Sequence, residues 1–348
     1  MAVIHKNTDY YLIDHRDFIT NIYRDTKVDE NESASFTVLG KLFSIINVEK
    51  SQSNRKRSHN SDDLHEETIA VKAKYESFIE QVPSEIKEAL IKKYKLLDTS
   101  DVRDLSKQLF EATIFDFNNM KGGNNAETSL KCSIKDNNFF IPPNSRFYCG
   151  CVKEQCLKLG GSKFDIVIAD PPWWNKYIRR LKSANDKLSY SMMYNEDIAA
   201  IPVQNFFSEN CLVAVWCTNA PSNIAAVKNI IFPKWGVQYV ATWYWLKVTV
   251  DLQPICGFGT GSKKQPYERI ILGKVGDVND VLDSQLVVSV PSALHSHKPP
   301  LLNLLRPLVK TENPQTLELF ARYLLPNTTS VGYEPLKWQH ESLYEKVS

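Results

Sequence analysis

Short apolar runs alternate with segments of helical pattern from about residue 145 to residue 333, and this alternation constrains the fold most strongly. Residues 164–169 and 211–216 have the length and composition of buried strands, whereas residues 220–231 have helical spacing. Further apolar runs lie at 240–246, 269–272 and 286–290, and a further helical pattern lies at 301–310. Strands that alternate with helices predict an α/β fold, with a mainly parallel sheet and helices on both faces.

The chain before this region has a different pattern. Residues 1–48 mix aromatic and charged side chains with an apolar run at 36–39, which favours short strands and a turn. Helices are predicted to begin near Thr68, Ser84 and Ser100, where apolar residues follow at helical spacing. We therefore expect an N-terminal α+β extension over residues 1–130 and a main domain over residues 131–348.

Residues 50–63 are rich in Ser, Asn, Lys and Arg, a composition typical of a mobile linker. Within this basic stretch, Arg55-Lys56-Arg57 could act as a nuclear-import signal, and the alternative is an ordinary solvated loop. An import signal would direct the chain to the nucleus, with the cytoplasm as a second compartment.

Composition argues against several other classes of protein. The cysteine number, seven, is odd and no Cys-x-x-Cys pair occurs, which favours a reducing compartment over secretion. The sequence begins without an apolar signal-peptide run and contains no stretch of about 18 apolar residues, so no membrane helix is expected. The net charge of +2 is small, so any surface that attracts nucleic acid must be local.

The tetrapeptide Asp170-Pro171-Pro172-Trp173 follows directly after the predicted strand 164–169. Ligands of such sheets bind beyond the carboxyl ends of the strands. Two prolines fix two φ angles and supply two carbonyls, so that with the carboxylate they form a rigid row of acceptors. Such a row suits an exocyclic amino group like that of adenine, and Trp173 offers a face for stacking a base. The alternative is a tight turn with Trp173 in the core.

Residues 168–176 resemble the Asp-Pro-Pro-Trp motif of the methyltransferase-like adenine-N6 methyltransferases, which include the catalytic subunit of the messenger-RNA N6-adenosine methyltransferase. Further similarities follow in the family's order over about residues 145–345. They are Ile201-Pro202-Val203, Trp216-Cys217-Thr218-Asn219, Trp245-Leu246-Lys247, Leu294-His295-Ser296-His297-Lys298-Pro299 and Glu318-Leu319-Phe320-Ala321-Arg322. The last two elements most resemble a family member that modifies adenosine in a small nuclear RNA, for which DNA activity is also proposed.

The resemblance implies a Rossmann-like methyltransferase domain that uses S-adenosyl-L-methionine, with Asp170, Pro171, Pro172 and Trp173 as catalytic residues. The cofactor-binding residues that it implies are Cys151, Val152, Asp170, Lys298, Glu318, Arg322, Gly332 and Glu334. Lys298 is a point cation suited to the cofactor's carboxylate. Arg322, with Glu318 one helical turn earlier, could hold the ribose, although such a pair is more often a helix salt bridge.

Substrate contacts are expected beside the tetrapeptide. The candidate residues are Asn175, Lys176, Arg179, Arg180, Tyr190, Trp245 and Lys247. Residues 174–188 carry five basic residues against one acid, which favours phosphate contacts over an ordinary solvated loop. The glycine-rich loop 257–264 is a candidate gate over the substrate.

Three features depart from common patterns. No glycine-rich turn accompanies Leu319-Phe320-Ala321-Arg322, although the family shares this absence. Cys151-Val152 stands where the family often has Asp-Ile, and Gly332-Tyr333-Glu334 stands for Gly-Asn-Glu, which leaves the contacts to the cofactor's adenine open. His295 and His297 have metal-ligand spacing, but no Cys or carboxylate lies near them in sequence, so no metal is expected.

Three functions remain in competition. The first is N6-methylation of RNA, with 2′-O-methyladenosine in U2 small nuclear RNA as the target that the resemblance implies. The second is adenine methylation of DNA, and the third is an inactive RNA-binding scaffold. The tetrapeptide and Lys298 favour an active enzyme, and its target base should be single-stranded or flipped. A protein partner stays open, because the N-terminal zone could replace one and the chain could act as a monomer.

Overall fold

The computed structural model describes residues 3–45, 66–95, 101–174, 192–259 and 264–347. The predicted linker and import signal at 50–63 lie outside these residues, as do residues 175–188 of the basic loop. Residues 260–263 of the predicted gate also lie outside them. Within the described residues, no helix combines the length and the apolar character needed to cross a membrane.

The strands, in chain order, are β1 (Val3–Lys6), β2 (Tyr10–Ile13), β3 (Thr26–Lys27), β4 (Ser33–Ala34), β5 (Phe36–Val38), β6 (Lys121–Asn124), β7 (Ser129–Ile134), β8 (Asn137–Ile141), β9 (Ser145–Cys149), β10 (Phe164–Ala169), β11 (Phe207–Cys217), β12 (Gln238–Lys247), β13 (Tyr267–Val275), β14 (Leu286–Ser289), β15 (Thr316–Leu319), β16 (Thr328–Gly332) and β17 (Tyr344–Lys346). The α-helices are α1 (His15–Ile22), α2 (Glu66–Gln81), α3 (Ser84–Lys95), α4 (Val102–Ala112), α5 (Val152–Cys156), α6 (Asn195–Ala199), α7 (Pro221–Ala226), α8 (Phe232–Trp235) and α9 (Leu302–Leu305). A π-helical segment, Val227–Ile231, joins α7 to α8.

Eleven strands form one sheet in the order β1-β2-β14-β12-β13-β11-β10-β15-β16-β9-β6. Neighbouring strands are parallel except where β1, β6 or β13 takes part, which confirms the predicted mainly parallel α/β fold. The chain passes from β10 to β11 on one side and returns to β15 on the other. Such a reversal opens a crevice at the carboxyl ends of the strands.

Alternating side chains of the central strands enter two separate cores, because successive residues of a strand point to opposite faces. In β10, Ile166 and Ile168 belong to one core, whereas Val167 and Ala169 belong to the other. The second core also contains Phe232 and Trp235 of α8. Both faces of the sheet are therefore covered, as predicted.

The N-terminal region contributes to the first core and to the sheet itself. Phe78 of α2, Tyr94 of α3 and Leu109 of α4 are buried in the same cluster as Ile166. Strand β2 pairs in parallel with β14, so β1 and β2 extend the main sheet. Helices α2, α3 and α4 begin close to the predicted positions.

The segment around Glu318 differs from its prediction. Glu318 lies in strand β15 and pairs with Ile168 of β10, so it is not one helical turn before Arg322. Phe320 has a φ of 63°, and this left-handed residue directly follows the strand. The spacing of four residues between Glu318 and Arg322 suggested one turn of a helix. The segment instead forms a buried four-residue strand followed by a tight turn, so the two residues are not stacked on one helical face. Strands β9, β15 and β16 were not predicted.

Candidate active site

Most of the predicted site residues converge at the carboxyl ends of the parallel strands. Asp170 follows β10, Cys151 follows β9, and Arg322 lies just beyond β15. Lys247 ends β12, and Glu268 is the second residue of the antiparallel β13 at the same end of the sheet. Parallel strands bring these positions together although they are up to 171 residues apart in sequence, from Cys151 to Arg322.

The backbone after β10 is held by three hydrogen bonds. The Asp170 N–H donates to the Leu319 carbonyl (3.3 Å), and the Trp173 N–H donates to the Pro171 carbonyl (2.8 Å). The Met193 N–H donates to the Pro172 carbonyl (2.9 Å). Among the described residues, each proline carbonyl therefore retains one of its two lone pairs for a further donor. The row of acceptors is rigid, and each of its two proline carbonyls already accepts one backbone hydrogen bond.

Trp173 is part of the core rather than an exposed stacking surface. Its side chain is only 6% exposed and packs with Val213, Val215 and Ile231 in the second core. The indole N–H donates to the Trp216 carbonyl at 2.9 Å. This geometry corrects the suggestion that Trp173 stacks on the target base, because a buried ring anchored to β11 has no free face. The indole thus anchors the end of the Pro171-Pro172 segment to β11.

Glu268, which the sequence patterns did not single out, lies between two lysines. The Lys298 Nζ is 2.5 Å from Glu268 Oε2 and 3.7 Å from Asp170 Oδ1, and Lys247 pairs with the other Glu268 oxygen. Burial alone would raise the pKa of Glu268, but the two lysines lower it to about 2. A charged residue inside the apolar strand β13 was the one signal that could have revealed it.

Two tryptophans lie beneath this ion cluster. Lys298 Nζ is 5.3 Å from the centroid of the Trp216 ring, and Lys247 Nζ is 4.6 Å from that of Trp245. The Trp245 side chain is 3% exposed, and its indole N–H donates to Ser289 Oγ at 2.8 Å. Trp245 therefore supports the lysines through cation–π contacts, and the predicted direct contact of Trp245 with substrate does not fit its burial.

Glu318 is a second carboxyl on the same face of the sheet as Asp170. It is 8% exposed, and its Oε2 atom has no hydrogen-bond partner among the described residues. Burial, and then the negative charge of Asp170, raise the pKa of Glu318 to about 8. Burial also raises the pKa of Asp170, although Lys298 and Arg322 oppose this effect. At neutral pH Glu318 is therefore mainly protonated.

The turn that follows β15 packs closely against the end of β16. A Cβ atom on Gly332 would lie 2.8 Å from the Ala321 carbonyl oxygen, so only glycine allows this approach. Beyond Gly332, Glu334 accepts a hydrogen bond from Lys337 Nζ at 2.9 Å. The backbone here takes its left-handed residue at Phe320 rather than at a glycine, which agrees with the absence of a glycine-rich turn.

Cys151 and Tyr333 meet at the end of β9 and β16. Val152 is buried at the start of α5, whereas Tyr333 is 43% exposed. Burial, and then interactions with the Cys151 thiol that include a hydrogen bond, raise the pKa of Tyr333. The positions at which the family often has Asp and Asn are thus Cys151 and Tyr333, which form a thiol–phenol pair. The phenol ring of this pair is exposed.

Other predicted features are separated by the fold. His297 is buried against His15, with ring centroids 4.6 Å apart, whereas His295 is exposed, so the two predicted histidines do not converge. At the predicted gate, Gln265 joins the loop's two ends through hydrogen bonds with the backbone of Gly259 (2.7 and 3.1 Å). The candidate substrate residues Asn175, Lys176, Arg179, Arg180 and Tyr190 lie outside the described residues.

The residues present fit S-adenosyl-L-methionine. The unpartnered Glu318 Oε2 is a buried acceptor that a ribose hydroxyl could satisfy. Lys298 has three N–H donors, of which Glu268 and Asp170 engage at most two, so one can meet a carboxylate. Tyr333 offers an exposed ring to an adenine. Acceptor, cation and ring therefore lie at one end of the sheet, around Asp170.

Comparison with known proteins agrees with this geometry. The sequence profile of the MT-A70 family matches residues 164–334. The chain is 35% identical over 250 residues to the N(6)-adenine-specific methyltransferase METTL4 of Mus musculus, covering 68% of this chain and 49% of that protein. It is 39% identical over 215 residues to a DNA N6-methyl methyltransferase of Caenorhabditis elegans, covering 60% of this chain and 56% of that protein. It is 33% identical over 207 residues to the N6-methyladenosine RNA methyltransferase MTA1 of Cryphonectria parasitica, covering 58% of this chain and 60% of that protein. The chain thus spans about half the length of the first two relatives.

Proposed function

Residues 164–334 form an MT-A70 methyltransferase domain, and we propose that the chain uses it to methylate the N6 atom of adenine in RNA, with S-adenosyl-L-methionine as cofactor. The observation that carries this proposal is the position of Asp170. Its carboxylate follows the central strand β10, beside two proline carbonyls that each keep a free lone pair, and 3.7 Å from Lys298. An amino group and a charged cofactor could therefore meet at one point.

The residues around the cofactor site have distinct roles. When bound, S-adenosyl-L-methionine supplies a methyl group on a positively charged sulfur. Lys298 would hold the carboxylate of its methionine part, and Glu318 with Arg322 would hold the ribose hydroxyls. Gly332 lets the backbone approach this site, and Glu334 holds Lys337 beside it. Cys151, Val152 and Tyr333 would line the adenine end, with ring stacking in place of the polar contacts that Asp and Asn provide elsewhere.

The acceptor row prepares the amino nitrogen for attack. One Asp170 oxygen and one proline carbonyl would accept its two N–H bonds, which draws the nitrogen lone pair out of conjugation with the ring. Glu268 keeps Lys298 and Lys247 fixed, so that Lys298 does not close fully on Asp170. After methyl transfer the nitrogen must lose a proton, and the Asp170 carboxylate can accept it. Positioning and electrostatics thus supply most of the rate gain.

The finer substrate follows from similarity. We infer that the target is adenosine, or 2′-O-methyladenosine, in U2 small nuclear RNA, because the Leu294–Pro299 and Glu318–Arg322 elements resemble the family member with that activity. The relative from Cryphonectria parasitica is also named as an RNA methyltransferase. The nucleus would then be the main compartment. The large N-terminal contribution to the core supports action as a monomer.

DNA is the second candidate substrate. The relative from Caenorhabditis elegans, at 39% identity, is named as a DNA N6-methyl methyltransferase. The residues that would touch the amino group act on adenine alone, so they serve both polymers equally. The choice between RNA and DNA must lie in contacts to the sugar.

The test is transfer of labelled methyl groups to matched RNA and DNA oligonucleotides, including a U2-derived RNA with and without the 2′-O-methyl group. We expect RNA to be labelled, and Asp170→Ala and Asp170→Asn to lower kcat by at least about a hundredfold. Asp280→Asn, a change on the exposed surface, serves as the control. Equal labelling by the wild type and both Asp170 variants would refute the proposal. Preferential labelling of DNA would establish the second candidate instead.

A further inference from the structure

Two aromatic rings stand together at the mouth of the site and have no role in the reaction described above. The rings of Trp174 and Tyr194 are nearly parallel, with an interplanar angle of 16° and centroids 6.3 Å apart. Tyr194 is 60% exposed, and Trp174 is partly exposed. Exposed apolar side chains that lie together, unlike scattered single ones, mark binding surfaces.

The pair is anchored to the acceptor row itself. Trp173 and Met193 form a parallel β-bridge, and the Met193 N–H donates to the Pro172 carbonyl. Trp174 and Tyr194 are the next residues on these two backbone segments. Tyr194 also precedes α6, whose Ile198 and Ala199 are buried in the second core. Both backbones are therefore fixed relative to Asp170.

We propose that Tyr194, backed by Trp174, is a stacking site for the nucleobase adjacent to the target adenine in single-stranded RNA. This inference rests on the proposed function. Trp174 is the fourth residue after Asp170, so their backbones are at most about 14 Å apart. That distance lies within reach of a neighbouring nucleotide when the target base is turned into the site. The adjacent base stacks on the exposed face of Tyr194, and Trp174 supports the opposite face.

The chemistry of the pair selects this occupant. An aromatic face binds every base without selecting its sequence, since each base has a π-face. Neither an indole nor a phenol ring carries a positive charge, so a base suits the pair better than a phosphate does. Trp173, the aromatic residue inside the tetrapeptide, is buried and cannot serve this purpose. Trp174 and Tyr194 thus supply the stacking surface that the buried Trp173 does not.

The experiment uses RNA oligonucleotides in which the nucleotide on the 5′ or the 3′ side of the target adenine is abasic. KM is measured by methyl transfer, and Kd by fluorescence anisotropy, for the chain of residues 1–348. For the wild type we expect the abasic change on one side to raise both constants by about tenfold. Tyr194→Ala and Trp174→Ala should raise them similarly on the intact RNA and remove the sensitivity to the abasic change. Tyr194→Phe should behave like the wild type.

Tyr239→Ala is the matched control, because Tyr239 is an exposed tyrosine at the opposite end of β12. It should leave both constants and the abasic sensitivity unchanged. Wild-type insensitivity to both abasic RNAs, or sensitivity that persists in Tyr194→Ala, would overturn the stacking site. RNA binding without any methyl transfer would refute the proposed function. The Kd values for intact and abasic RNA would in that case still show whether Tyr194 and Trp174 form the stacking site.

Discussion

At the residue scale, three carboxyl groups at one end of the sheet differ in charge because their neighbours differ. Glu268 is held ionised by Lys247 and Lys298, whereas the buried Glu318 has a pKa raised to about 8. Asp170 lies between these two environments, with Lys298 at 3.7 Å. In the proposed mechanism, environment rather than residue type therefore assigns the ion-pairing role to Glu268, the hydroxyl-binding role to Glu318 and the acceptor role to Asp170.

The raised pKa of Glu318 predicts a loss of stability on the alkaline side. The folded protein holds this proton up to about pH 8, whereas the unfolded chain releases it near 4.5. Stability from this group is therefore complete below pH 4.5 and is lost as the pH rises through 8. Glu318→Gln should remove the dependence and stabilise the cofactor-free protein above pH 8, by an amount on the order of a few kcal/mol.

Thermal or urea unfolding between pH 6 and 9 measures this effect. The exposed Glu312→Gln serves as a control and should leave the pH profile unchanged. A Glu318→Gln profile parallel to that of the wild type would show that the carboxyl is ionised at neutral pH. Excess cofactor should reduce the difference between the two proteins if the ribose hydroxyls satisfy Glu318.

At the scale of elements, helix α2 connects the N-terminal region to the active site. Glu67, in its first turn, accepts a hydrogen bond from Arg269 Nε at 2.7 Å, and Arg269 also donates to Asn219 Oδ1 at 2.5 Å. Asn219 in turn donates to the Tyr267 carbonyl at 2.8 Å. The first turn of α2 thus fixes the loop after β11 and the start of β13, next to Glu268.

Glu67→Gln should destabilise the chain. Arg269 is only 6% exposed, so loss of the carboxylate leaves a buried guanidinium with its charge uncompensated. Because Glu67 is itself 36% exposed, we expect about 1–2 kcal/mol rather than the 3–5 kcal/mol typical of a fully buried pair. Chemical denaturation measures the change. The neighbouring exposed Glu66→Gln is the control, and equal stability of the two variants would contradict the prediction.

At the scale of the whole molecule, the region before residue 131 is part of the same folded body as the methyltransferase sheet. It supplies strands β1, β2 and β6 and much of one core. Helix α1 also contributes His15, which packs edge-on against His297, the residue before Lys298. Neither ring has a hydrogen-bond partner among the described residues, so both are buried as neutral imidazoles.

These histidines predict destabilisation by acid. Burial lowers the pKa of His15 to about 3, and burial with His15 lowers that of His297 well below 6.5. Their contribution is present above pH 6.5 and is lost as the pH falls, because only the unfolded chain can protonate both. As the pH falls from 6.5 to about 5, each of these two rings should therefore lower the stability by about 1.4 kcal/mol per pH unit.

His15→Phe tests the contribution of His15, because phenylalanine keeps an aromatic ring without a titratable nitrogen. It should reduce the slope of stability against pH between pH 6.5 and 5 by about 1.4 kcal/mol per unit relative to the wild type, because the unfolded variant takes up one proton fewer. His340→Phe is the comparison, since His340 is partly exposed and bonded to Ser342 Oγ at 2.7 Å. An unchanged slope in His15→Phe would show that this ring does not stay neutral in the folded protein.

The sequence by itself determined the α/β class, the central strand β10 and the acceptor motif at its end. These features are local, since strand periodicity and the fixed φ of proline depend on neighbouring residues alone. Tertiary structure decided the burial of Trp173, the strand position of Glu318 and the place of Glu268 between two lysines. It also joined β1 and β2 to the main sheet. Burial and ion pairing depend on residues distant in sequence, such as Lys247 and Lys298 around Glu268, and only the folded sheet brings these together.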